Sequence, residues 1–177
     1  MGKVVKLATI KKKLEASKAT AERDRKFKRH EEHTELLDIN KYNFVSPDDH
    51  TLIIHDAGRA WLHKVAATFG LPRFPENEAE LLGTQQMLWF LVYSAKPVPD
   101  FPKQDADWLA AGKGVLEDTA PWALAWFDAY LDDDVEAMRQ AMVEDQFIEN
   151  AADDWRATQT AREQAGPGVW PPDSPSQ

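Results

Sequence analysis

The sequence predicts an all-α protein: a single helical domain of about five helices, with a long basic N-terminal helical arm and an extended C-terminal tail. Three observations lead there. No proline or glycine falls between Lys3 and Ser46, a span otherwise rich in good helix formers. Apolar residues recur at three- and four-residue spacing in several later segments. No segment alternates apolar and polar residues well enough to build a sheet. The expected divisions are residues 1–40 for the arm, 41–166 for the domain and 167–177 for the tail.

The arm is expected as one helix from about Lys6 to Leu37. Leu7, Ile10 and Leu14 begin an apolar stripe that fades at Ser17, Ala21 and Asp24. A helix this polar on every side has little core of its own, so it is expected to lie against a partner or in solvent. The domain opens at "NFVSPDDH", where Ser46 can cap, Pro47 suits the first helical turn, and Asp48 and Asp49 oppose the helix dipole. The helix is expected to continue through Ile54, Trp61, Val65 and Phe69 to a stop at Gly70 and Pro72. A third helix spans about Glu78–Ala95; its centre, "MLWFLVY", is apolar all round, so Leu88 and Trp89 are expected in the most buried part of the core. Three prolines within Lys96–Pro102 make a loop. A short helix, about Asp105–Ala111, ends at the glycines of "AGKG". A capped helix carries Trp122, Trp126 and Tyr130, and a last long helix runs from about Asp134 to Gln164. The tail "GPGVWPPDSPSQ" has the composition of an extended segment.

Charge divides the chain. Residues 1–30 hold eleven Lys or Arg against three acids, whereas the remainder holds ten against twenty-seven, for an overall −9. An acidic body with a basic arm favours docking on acidic protein surfaces, and a run of basic residues also admits sequence-independent contact with nucleic acid phosphates. Phe27 is the only aromatic in the arm, which gives bases little to stack on. The absence of cysteine excludes disulfides, thiolate metal sites and a thiol nucleophile. The longest apolar run, Met87–Tyr93, is far short of the roughly 20 residues that span a bilayer. No membrane partner is therefore expected, and a cytoplasmic or intracellular location is the default. "AGKGVLED" is not a phosphate loop, and no serine sits in a nucleophile turn.

One stretch is chemically suggestive. "LIIHDAGR", residues 52–59, resembles the "LLHDIGK" segment of the HD-domain metal-dependent phosphohydrolases, an all-helical family. The resemblance covers these eight residues. It implies His55 and Asp56 as the central metal ligands, with His33 or His30 upstream and Asp118 or Asp128 downstream. The competing reading places His55, Arg59 and His63 on a solvated or interface face opposite Ile54, Trp61 and Val65. On a continuous helix His55 and His63 stand about 12 Å apart and could not share an ion. His30 and His33 of "RHEEH" are likewise expected at the surface.

The reading with most support is a non-enzymatic protein–protein interaction or assembly component, of the kind found in a virion or its tail assembly, binding protein partners or copies of itself and needing no cofactor. Leu7, Ile10, Leu14, Lys11, Lys12, Lys13 and Trp170 are its expected contact residues. The phosphohydrolase, with His33, His55 and Asp56 as ligands, and a nucleic-acid-associated protein are the alternatives.

Overall fold

The structure, a computed structural model, describes residues 2–38 and 56–166, with side chains from residue 7 onward. Among these residues it contains seven α-helices, one 3-10 turn and no strand: α1 (Gly2–Leu36), α2 (Asp56–Phe69), α3 (Glu78–Ser94), α4 (Pro102–Thr119), the turn Pro121–Ala123, α5 (Leu124–Leu131), α6 (Val135–Glu144) and α7 (Phe147–Ala165). The all-α expectation holds. The expected start at Ser46 and Pro47 falls outside the described residues.

The centre of the molecule is the crossing of α3 on α7. Gly83 permits it: a β-carbon there would come within 2.2 Å of the Ala151 carbonyl oxygen. The small Ala151 and Ala152 complete the close approach, and both are buried. Around this crossing Leu88, Leu91, Val92, Trp126, Phe127, Met142 and Phe147 form one continuous core with Phe69 of α2 and Leu116 of α4.

Local signals explain most of the helix ends. The Asn77 side chain accepts from the Glu80 backbone N–H at 3.0 Å and caps α3. Arg73 clamps the approach to that cap, donating to both Glu80 carboxylate oxygens at 2.9 Å and to Glu149 of α7 at 2.7 Å. The guanidinium and the Glu76 N–H hold the Glu80 carboxyl at about 2. At the end of α2, Gly70 takes φ +76° and donates to the Ala66 carbonyl at 2.9 Å, which is the glycine stop the sequence implies. The Phe69 carbonyl, left over at the helix end, accepts from the Trp126 indole N–H at 3.2 Å.

Three expectations require correction. The helix expected at Asp105–Ala111 runs from Pro102 to Thr119, straight through both glycines, because Gly112 is packed against Ser94 of α3 and Leu116 beyond it is fully buried. The single helix expected over Asp134–Gln164 is two, broken at Gln146, whose φ is +47°. At about 100° per residue, the stripe of Met138, Ala141 and Met142 and that of Phe147, Ile148, Ala151 and Ala152 lie roughly a quarter-turn apart, so one straight helix could not bury both. The break re-registers them, and Asn150 donates from its side-chain amide to the freed Asp145 carbonyl at 2.7 Å. Finally, Trp89 is not in the core. It is 43% exposed, because α3 keeps one face toward solvent, where Trp89 stacks on Tyr93 with ring centroids 5.1 Å apart.

Candidate functional site

Helix α1 has two halves that differ in exposure. From residue 7 to Glu22 the side chains are exposed; from Arg23 onward one side of the helix packs on the body. The packed side is set by Arg23, Phe27, His30, Thr34 and Leu37, which alternate four- and three-residue steps as an amphipathic helix requires. Hydrophobicity alone hides that pattern, because three of the five residues are polar.

Ion pairs guide the docking. Arg23 Nε lies 2.9 Å from the Asp105 carboxylate of α4, Arg29 pairs with Asp133, and Lys96 lies 3.9 Å from Glu31 and over the Phe27 ring. The helix end is held by two neighbours: the Trp61 indole N–H donates to the Leu36 carbonyl, and the Gln85 amide donates to the Leu37 carbonyl at 3.0 Å.

Between these anchors lies a histidine cluster. His30 is 1% exposed, so the expectation that it decorates the surface is overturned: its ring sits edge-on to Tyr130 at 5.4 Å. His33 shares a 2.7 Å hydrogen bond through Nδ1 with the Tyr130 hydroxyl and stands edge-on to Phe69 at 5.2 Å. Burial, then the positive charge of Arg29, depresses both imidazoles, His30 to about 3 and His33 to about 4. Burial pushes the Tyr130 hydroxyl up. Both histidines are neutral near pH 7 and act as aromatic packing groups with hydrogen-bonding edges.

The residues singled out for chemistry stand as follows. His33 is committed to Tyr130 and Phe69. Asp56 is exposed in the first turn of α2, and His55 lies outside the described residues. Among the described residues no group of three or more His, Asp or Glu is placed to hold a metal ion. Of the expected contact residues, Leu7, Ile10 and Leu14 are 68%, 62% and 55% exposed, and Lys11, Lys12 and Lys13 are exposed beside them. Trp170 lies outside the described residues. At about 100° per residue the stripe of Leu7, Ile10 and Leu14 falls on the side of α1 roughly opposite Phe27, His30 and Leu37. It therefore faces away from the body on which the rest of α1 packs. Among the described residues no helix is long and apolar enough to cross a membrane.

No family model, no curated protein and no solved structure matches the chain.

Proposed function

We propose that the chain is a non-enzymatic protein–protein interaction or assembly component that docks a protein partner through the exposed half of α1. A single observation carries the reading: three large apolar side chains, Leu7, Ile10 and Leu14, stand more than half exposed on one face of a helix, turned away from the chain's own body. Apolar residues repeated at helical spacing are what an amphipathic helix presents to a groove. The flanking Lys11, Lys12 and Lys13 bring charge, of which, among the described residues, Lys11 is paired with Glu15 at 3.9 Å. The partner is thus a protein with an apolar groove rimmed by carboxylates. Residues 100–177 of a second copy, with seventeen acids against five bases, have the right sign.

The test replaces Leu7, Ile10 and Leu14 together with Asp. These side chains contribute little to the chain's own core, so the variant keeps the wild-type melting temperature while the contact is lost. Excess duplex DNA at physiological salt leaves the wild-type contact intact. Displacement of the partner by DNA, or a contact that survives the triple substitution, overturns the reading. Salt sensitivity alone does not discriminate, because both kinds of contact weaken with ionic strength.

A further inference from the structure

Where α1 crosses the start of the α3–α4 loop there is a cavity of about 380 Å³ whose wall is basic, in a protein of net charge −9. Arg23, Lys26 and Arg29 line it from α1 and Lys96 from the loop; Glu22 and Asp105 are the acids on its wall. His30 also lines it and is 1% exposed. Arg29 Nη2 lies 3.3 Å from His30 Nε2. A guanidinium can only donate, so Nε2 accepts and the proton of the neutral ring sits on Nδ1. Among the described residues that Nδ1–H is buried with no acceptor, and so are Arg23 Nη2 and Arg29 Nε. Four cations face two acids across this one cavity, so its wall favours a ligand that brings several acceptor oxygens. Two of the cations hold their acids only loosely: Lys26 is 3.8 Å from Glu22, and Lys96 is 3.9 Å from Glu31.

Lys96 and Pro97 also belong to the next cavity, an aromatic groove of about 320 Å³ between Phe27, Tyr93 and Trp108. Tyr93 and Trp108 meet edge to face at 5.5 Å, and the Trp108 indole N–H donates to the Tyr93 carbonyl at 3.3 Å, which fixes the groove wall. A basic cavity thus adjoins an aromatic groove.

We propose that this pair of cavities binds a small phosphomonoester with a flat aromatic ring, the chemistry of a mononucleotide, with its phosphate among Arg23, Lys26, Arg29, His30 and Lys96 and its ring against Tyr93 and Trp108. A phosphate supplies acceptor oxygens to a wall with more cations than acids, and charge-assisted hydrogen bonds to it are stronger than those to water. Aromatic faces supply stacking that a sugar phosphate cannot use. Because the cations come from α1 and Lys96 from the body, the ligand also ties the helix down. This site is independent of the docking stripe.

The test is calorimetric titration of the full-length chain with AMP, ribose 5-phosphate and inorganic phosphate at constant ionic strength. The expected result is one site per chain, with AMP bound at least about tenfold more tightly than ribose 5-phosphate. Lys26→Gln with Lys96→Gln weakens AMP at least about tenfold, since two charge-assisted contacts are lost, and lowers the ligand-free melting temperature only slightly, because the ion pairs it breaks are partly exposed. Tyr93→Leu with Trp108→Leu brings AMP down to the affinity of ribose 5-phosphate. Lys12→Gln with Lys13→Gln, on the distant half of α1, changes nothing. Three results overturn the proposal: no saturable binding of AMP at millimolar concentration, equal affinity for AMP and ribose 5-phosphate, or equal weakening by the Lys12 and Lys13 control.

Discussion

Acidification should loosen the seam between α1 and the body well before it titrates most carboxylates. His30 is held neutral in the folded protein at about 3 and His33 at about 4, against an ordinary value of 6.5. Below pH 6.5 the unfolded chain therefore binds protons that the folded chain refuses. The sign is fixed: stability from these groups is complete above 6.5 and is lost as the pH falls toward 3. Each pH unit in that window is worth about 1.4 kcal/mol per histidine, so between pH 7 and pH 5 His30 alone removes about 2 kcal/mol. His33 is only partly buried and removes somewhat less. Asp145 and Asp154, pushed up by burial, act in the opposite sense. Urea unfolding followed by far-ultraviolet circular dichroism at pH 7, 6 and 5 measures the loss. In His30→Gln, which cannot take up the proton, the fall between pH 7 and 5 should shrink to the His33 share. Equal stability at pH 7 and pH 5, or an undiminished fall in the variant, would show that His30 is not held neutral by burial.

Further substitutions probe the core and its clamps. Gly83→Ala drives a β-carbon into the Ala151 carbonyl 2.2 Å away, and thermal denaturation should register a loss of about 2–3 kcal/mol. Trp126→Ala empties a fully buried site and abandons the hydrogen bond to Phe69, costing about 3–5 kcal/mol, whereas Trp89→Ala, on the exposed face of α3, costs about 1 kcal/mol or less. Equal losses at the two tryptophans would mean that the orientation of α3 is wrong. Glu80→Gln breaks the two-pronged pair with Arg73; since Arg73 is partly open to solvent, the loss at pH 7 is about 1–2 kcal/mol. Glu80 is held at about 2, so the advantage of the wild type is present above about 4.5 and disappears as the pH falls through 2, which acid titration of both proteins checks.

How far the sequence could be read depended on how directly each residue's chemistry dictates its position. Gly70 stops α2 and the pair Trp126 and Tyr130 is buried, as glycine placement and four-residue aromatic spacing imply. The break at Gln146 carries no glycine or proline, and shows only as a shift in the phase of the apolar stripe. The continuation of α4 past Gly112 depends on a contact with Ser94, eighteen positions earlier in the chain, that no local pattern encodes. Trp89 sits in an unbroken apolar run, and which of its neighbours faces the core is decided by how α3 crosses α7. The docking side of α1 was masked because arginine, histidine and threonine occupy positions where apolar residues announce a packed face. Of the candidate contact surface, the stripe of Leu7, Ile10 and Leu14 was legible from spacing; its direction, away from the body, needed the structure.

Docking through the exposed half of α1 stands on one surface, that of Leu7, Ile10 and Leu14. The most direct measurement is the mass of the native complex recovered from the source of the protein, with a photo-crosslinking residue in place of Ile10 and its companions identified. Docking through this surface gives a mass well above the 20.1 kDa of one chain, a crosslink from position 10 to one defined protein or to a second copy, and loss of both when Leu7 and Leu14 are also changed to Asp. Recovery of the unaltered chain as a 20.1 kDa monomer, with no protein crosslinked to the form altered at position 10, rules that docking out.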